Sequence, residues 1–260
     1  MQANSSRQNR LAFNSFPELY DQGRPTFDDD FVQDLMQAAG LAKGDHVLEI
    51  GPATGQLTAS LLGCGLNVVA LEPGEHLAAY LKRQPWASDA LQVVVNTFED
   101  FVAEQPFSAI FAANSFHWID PAISYRKAYE LLHPKGALCL IWTFLILADS
   151  QLQQRLNQQV FVGELQDFQR QPEQFSDLIH QLMAQGQEEL VANSAFQKPL
   201  QTKVVTPQLK WRIDDYLAYH RSQANGALIT DTVTAQIKQV MNADATLLVD
   251  NHIAVTLAQK

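Results

Sequence analysis

The chain has 260 residues, 28 acidic against 18 basic, and a formal net charge of -10. That length suits one large domain or a domain with an appended subdomain, at roughly 100–200 residues per domain, with a core that needs no disulfides. The acidic balance offers no footprint for a phosphate backbone, so nucleic acid is not an expected partner. No apolar run reaches the ~18 residues of a membrane span, the first ten residues lack a signal-peptide core, and Cys64 and Cys139 form no CxxC pair. Together these features lead us to expect a cytoplasmic protein, without a membrane partner or a metal site.

In chain order, Phe27 to Ala39 reads as an amphipathic helix, with Asp28-Asp29-Asp30 at its amino end and Gly40 after its last turn. From residue 45 to 147 short apolar runs alternate with amphipathic stretches, the pattern of a parallel sheet covered by helices. The strand runs are His46–Ile50, Val68–Leu71, Leu91–Val95, Ala109–Ala113 and Ala137–Leu147. Helical candidates between them are Gln56–Leu62, His76–Arg83 and Ala122–Leu132, the last closed by a Pro134-Lys135-Gly136 turn. Composition then shifts. Twelve glutamines fall in 151–187, which reads as two helices broken near Gln171-Pro172. We read 151–200 as a helical cap over the active edge of the sheet, with Phe161, Phe168 and Phe175 recurring every seven residues. Lys203–Trp211 reads as a strand interrupted by Pro207, Asp214–Tyr219 as a helix start, Thr232–Met241 as a helix, and Thr246–Leu257 as a closing strand or hairpin.

The chemistry concentrates in Leu48-Glu49-Ile50-Gly51-Pro52-Ala53-Thr54-Gly55-Gln56. An apolar strand enters a glycine turn that lets backbone approach a ligand, and the following helix start offers free N–H groups to an anion. Glu72, 21 residues after Gly51, tips the second strand, where a carboxylate can hold ribose hydroxyls. The spacing is not the G-x-G-x-x-G of a dinucleotide site, so a ligand without a pyrophosphate fits better.

At this point the sequence resembles the class I S-adenosylmethionine-dependent methyltransferases of the small-molecule type. The residues that carry the likeness are Tyr20-Asp21-Gln22-Gly23-Arg24-Pro25, the glycine turn, Leu71-Glu72-Pro73-Gly74, Asn96-Thr97-Phe98-Glu99-Asp100, Leu131 to Leu138 and Trp142. Asn114-Ser115-Phe116-His117-Trp118-Ile119-Asp120 narrows it to a branch similar to trans-aconitate-type methyltransferases, and Tyr216-Leu217-Ala218-Tyr219 is similar as well. The resemblance implies a Rossmann-like α/β fold with a mostly parallel, seven-stranded sheet, an antiparallel last strand and a helical cap insertion. We divide it into an amino-terminal helical segment closing over the cofactor (1–44), a cofactor-binding core (45–147), a cap and acceptor region (148–200), and carboxy-terminal elements completing the sheet (201–260).

The resemblance further implies S-adenosylmethionine as cofactor, leaving as S-adenosylhomocysteine, and a small-molecule acceptor methylated at a carboxylate or hydroxyl. Glu49, Gly51, Pro52, Ala53, Gly55 and Gln56 would hold its methionine portion, and Glu72 with Pro73 its ribose. Thr97 and Phe98 would border adenine, and Asn114 would sit below the sulfur. Tyr20 and Arg24 would close over the carboxylate, a charge-assisted arrangement. His117 is the candidate catalytic base or acceptor partner, and Trp118 a candidate acceptor wall. The chain departs from the family at Ala53, commonly glycine, and at Thr97, commonly aspartate. Methyl transfer is an in-line displacement that needs alignment and water exclusion, so no triad or metal cluster is required. A nicotinamide-dependent oxidoreductase and a non-catalytic binding protein are the alternatives. The glycine spacing disfavours the first, and the two departures keep the second open.

Overall fold

A computed structural model describes residues 11–196, 200–241 and 246–260, without the side chains of 172–174. The expected ranges 1–44, 148–200 and 201–260 are therefore described only over those parts, and the signal-peptide reading of the first ten residues lies outside them. The first five strands are β1 (His46–Ile50), β2 (Asn67–Leu71), β3 (Leu91–Val94), β4 (Phe107–Ala113) and β5 (Leu132–Leu147). They are parallel, in the order β3-β2-β1-β4-β5. The long closing strand β8 (Leu247–Gln259) runs antiparallel beside β5, and β6 (Gln201–Val205) and β7 (Gln208–Trp211) both pair with β8.

Two expectations are refined here. Eight strand segments occupy seven sheet positions, because Thr206-Pro207 splits one edge strand. Proline has no N–H for the ladder, and its carbonyl accepts from Asn251 N at 2.9 Å before β7 resumes. The antiparallel last strand is present, but as a single 13-residue strand inside the sheet rather than a hairpin at its edge. The Pro134-Lys135-Gly136 turn is a bulge within β5: Lys135 takes φ 70°, and the pairing shifts register between Phe107 and Ala109.

Helices α1 (Pro17–Gly23) and α2 (Asp29–Ala39) precede the sheet, followed by α3 (Thr58–Gly63), α4 (Glu75–Lys82) and α5 (Pro121–Leu131). In α2 the Asp28 side chain accepts from Asp30 N, Gly40 supplies the left-handed stop, and Phe31, Val32, Leu35 and Met36 are buried. The glutamine-rich region forms α6 (Ser150–Gln159), a 3₁₀ turn over Gly163–Phe168 and α7 (Pro172–Asn193). Pro172 opens the second helix instead of breaking one, since the first helical position needs no N–H. Then come α8 (Ile213–Arg221) and α9 (Asp231–Val240).

The phenylalanines of the cap do not form one stripe. Phe161 and Phe168 are fully buried in a core with Tyr216, Leu217 and Val249, whereas Phe175 packs with Ile146 and Ile179 on the sheet. Helix α7 lies along α5 and β8, so much of the cap is a structural layer of the sheet.

Helix α1 docks on α8 through Gly23, where a Cβ would stand 2.5 Å from the Ala218 carbonyl oxygen and 2.7 Å from Ser222 Cβ. Gly23→Val should force the helices apart and destabilise the protein by about 1–3 kcal/mol, the cost of overpacking. Urea unfolding measures the loss, and limited proteolysis should cut faster within residues 11–24. An unchanged midpoint would show that this contact is loose.

Candidate functional site

The carboxyl ends of β1, β2 and β4 open onto one cleft, as in other parallel α/β sheets. Its larger part is lined by Phe13, Tyr20, Gly51, Ala53, Glu72, Pro73, Thr97, Phe98, Asn114 and Trp118. Its second part carries Arg24, Glu49, Pro52, Gln56 and Thr143, and shares Tyr20, Gly51 and Asn114 with the first. Every candidate cofactor residue read from the sequence lines this cleft except Gly55. There a Cβ would stand 2.4–2.7 Å from Trp86 and Leu81 atoms, so its missing side chain serves packing beneath the turn.

Leaving β1, the chain turns through Gly51 (φ 66°) and Ala53 (φ 52°). A Cβ on Gly51 would lie 2.7 Å from Ser115 Cβ, which makes glycine a structural necessity as well as an opening for a ligand. Ala53 holds a conformation that L-residues avoid. Its N–H donates to Glu72 Oε2 at 3.0 Å, while Gly74 N–H donates to Oε1 at 2.9 Å. Glu72 is buried, which raises its pKa, and these two N–H groups oppose the rise.

Glu49 is also buried, within β1, and accepts from Thr58 Oγ1 at 2.7 Å. Burial pushes its carboxyl up to about 7, with the Thr58 bond pulling down and Glu72 pushing up. Arg24 lies across the same end of the cleft. Its guanidinium sits 5.1 Å from the Tyr20 ring centre and 5.3 Å from that of Tyr219, and Nη2 donates to Ser222 O at 3.1 Å. Its Nε is buried without a partner. Gln56 Nε2 donates to Thr54 and Asp21, and Asp21 accepts from Tyr80.

At the end of β4, Asn114 takes φ 53°, which asparagine tolerates. Its side chain exchanges two hydrogen bonds with Thr143, at 2.8 and 2.9 Å, pinning β4 to β5 below the cleft. Thr97 does not stand in for an aspartate. Its hydroxyl donates to Asp100 Oδ2 and accepts from Asp100 N, closing a local turn that presents the buried Phe98 ring.

His117 and Trp118, expected together at the acceptor, pack ring to ring at 4.9 Å but line different cavities. Trp118 lines the cofactor cleft and meets Phe13 edge-on at 6.3 Å. The exposed His117 lies at the rim of a different cavity between α5, α7 and the sheet. Sequence reasoning missed Phe13, Ser115 and Thr143. It also missed Asn14, whose Oδ1 accepts from His76 N and Leu77 N at the start of α4. No local pattern marks a contact some 60 residues away.

The comparisons decide between the cofactor classes. Residues 48–140 match the methyltransferase domain family. Over these residues the chain carries a methyltransferase domain, a family whose cofactor is S-adenosylmethionine. An uncharacterized methyltransferase of Mycobacterium tuberculosis is 31% identical over 139 residues, covering 53% of this chain and 54% of the relative. A ribosomal RNA small subunit methyltransferase A of Cutibacterium acnes is 31% identical over 138 residues, covering 50% and 43%. The chain thus spans about half the length of the curated relatives it matches. In fold, a protein provisionally named a type II methyltransferase from Anaeromyxobacter dehalogenans superposes with a TM-score of 0.63 at 15% identity, covering 91% of this chain and 97% of that one.

The methyltransferase cofactor is S-adenosylmethionine, and the residues present fit it. Among the described residues the unpartnered Arg24 Nε suits its carboxylate, the buried Glu49 carboxylate its ammonium group, and Glu72 its ribose hydroxyls. Among the described residues no helix is long and apolar enough to cross a membrane.

The raised Glu49 carboxyl has a signature in stability. Its folded pKa of about 7 exceeds the reference 4.5, so between those values the folded state holds a proton that the unfolded state has released. Stability therefore falls as pH rises through that window, by about 3 kcal/mol at most above pH 7. Glu49→Gln keeps an acceptor for Thr58 and cannot ionise. Its Tm should exceed the parent's above pH 7, and the gap should shrink towards pH 4.5. Parallel Tm profiles would show that Glu49 titrates normally.

Proposed function

We propose that the protein transfers the methyl group of S-adenosylmethionine to a small polar acceptor. When bound, the cofactor supplies a methyl carbon activated by its sulfonium. Glu49, Gly51, Pro52, Ala53 and Gln56 hold the methionine portion, with Arg24 and Tyr20 closing on its carboxylate. Glu72 and Pro73 take the ribose, Thr97 and Phe98 border the adenine, and Asn114 sets the floor beneath the sulfur. Gly55 supports the turn from below.

The acceptor reading rests on a cavity of about 640 Å³ that adjoins the cofactor cleft through Thr143 and Leu145. Its polar groups include Gln169, Arg170, Gln171, Asp177, Gln181 and Tyr219, one guanidinium and one carboxylate among amides. Arg170 Nη1 is fixed on the Asp167 and Gln169 carbonyls, leaving Nε and Nη2 without a protein acceptor among the described residues. A half-buried guanidinium beside amides suits an acceptor bearing a carboxylate or hydroxyl. Transfer to a carboxylate needs no base, so His117 is left at the rim of the neighbouring cavity. Alignment and exclusion of water by the walls of the cleft carry the rate.

RNA is the second reading, since some relatives are ribosomal RNA methyltransferases. The net charge of -10, and an acceptor cavity with one arginine among the described residues, favour the small molecule.

Incubation with methyl-labelled cofactor, a pool of small carboxylic and hydroxylic metabolites, and a ribosomal RNA transcript tests the proposal. Label should enter the small-molecule fraction, and label in RNA alone would overturn it. With an acceptor in hand, Arg170→Met should raise its KM by about tenfold or more, the loss of a hydrogen bond to a charged group. Glu72→Gln should weaken cofactor binding by a similar factor in calorimetry. A cofactor Kd unchanged in folded Glu72→Gln would remove Glu72 from the ribose.

A further inference from the structure

The cavity at whose rim His117 lies adjoins the cofactor cleft at Ile119 and the acceptor cavity at Phe144, but shares no polar side chain with either. It has a volume of about 390 Å³, within the size range of small-molecule pockets. Aromatic rings dominate its walls: Phe116, Tyr125, Trp142 and Phe144. Phe116 and Tyr125 are 5.0 Å apart at 58°, so two of the rings already pack against each other. Among the described residues no lysine or arginine lines it. The one carboxylate is that of Glu189 on α7, half-buried and in no ion pair among the described residues. Glu189 stands close enough to the Tyr125 phenol to add to the effect of burial in raising its pKa.

Gly186, one turn before Glu189, is the second independent observation. It sits within a 22-residue helix, where glycine is disfavoured relative to alanine, yet a Cβ there would meet nothing within 4 Å. It takes no left-handed conformation and makes no close approach that would demand glycine. What the missing side chain provides is open volume in the cavity.

We propose that this cavity is a second ligand site, which takes an apolar, ring-bearing amine in its protonated form. Aromatic faces attract a cation when it is desolvated among them, and the Glu189 carboxylate supplies the opposite charge. An anionic ligand would meet that carboxylate with no compensating base. The inference is independent of the methyl-transfer reading, because the site touches neither the acceptor cavity's polar groups nor Glu72, Glu49 or Arg24. It shares Ile119 with the cofactor cleft and Phe144 with the acceptor cavity.

Calorimetry at about pH 8, where the amine keeps its proton and an exposed imidazole has lost its own, compares 2-phenylethylamine, 2-phenylethanol and 3-phenylpropionate. The amine should bind at least about tenfold more tightly than the alcohol, with the carboxylate weakest. Glu189→Gln should bring amine and alcohol to similar affinity. Gly186→Leu, which fills the cavity, should weaken amine and alcohol by about tenfold or more while leaving Tm and the cofactor Kd in place. Gly186→Ala should raise Tm, confirming that the helix tolerates a side chain there. Failure of the amine to saturate, carboxylate binding as tight as amine binding, or amine affinity untouched by both Glu189→Gln and Gly186→Leu would overturn the proposal. Loss of methyl transfer with retained amine binding would count against the methyltransferase reading alone.

Discussion

The cleft depends on one buried carboxylate. Glu72 reaches from the end of β2 to the N–H of Ala53 in the turn after β1, and its second oxygen takes the N–H of Gly74 at the start of α4. Without that anchor the left-handed Ala53 has little to hold it. The same junction receives Asn14 from the amino-terminal segment, which accepts from the first turn of α4. Three stretches far apart in sequence are thereby fixed around the same few atoms. Each oxygen has accepted one backbone donor and retains a lone pair, so Glu72 can be both a structural clasp and a ligand to ribose hydroxyls. The strand-tip position in the sequence signals the second role and hides the first.

Glu49 adds a constraint of charge. Two carboxylates buried at one sheet edge discourage each other's ionisation, and burial raises both. Such a pair is poorly suited to an anionic ligand and well suited to a cationic one, whose arrival favours the ionised forms. The orphaned Arg24 Nε at the same end supplies the complement for a carboxylate. A zwitterion carrying an extra positive charge matches this arrangement better than a pyrophosphate, which is the electrostatic counterpart of the glycine spacing.

Much of the core was legible because its signals are local. The apolar run His46–Ile50, the glycine turn and the acid at β2 are all contiguous features, and the model keeps β1 at its expected bounds. The edge break at Pro207 was legible for the same reason, since proline's missing N–H acts where it stands. The rest depended on partners that sequence does not display. Gly55 shares its local pattern with Gly51, yet Trp86 lies over it. Thr97 looked like a weakened adenine contact and is instead paired with Asp100. Phe161, Phe168 and Phe175 keep a helical spacing, but a 3₁₀ turn spans Gly163–Phe168 and a new helix starts at Pro172, so Phe175 enters a different core from the other two. His117 and Trp118 are adjacent in a 3₁₀ turn with their rings packed 4.9 Å apart, yet they line different cavities.

The match to the methyltransferase family ends at Leu140, within β5. Every residue lining the adjoining acceptor cavity lies beyond it, from Thr143 to Tyr219. The matched part therefore contains most of the proposed cofactor residues, and the proposed acceptor cavity lies outside it. This division follows from the topology. Strands β1 to β4 end at the cofactor, and the chain leaves β5 into α6 and α7 before returning through β6 to β8. Insertions on that excursion can reshape the acceptor side without disturbing the Glu72 clasp or the Asn114–Thr143 pair. The ribosomal RNA methyltransferases among the relatives match this chain over about half its length. The small-molecule acceptor we propose rests on the other part, on Arg170 and the amides beside it.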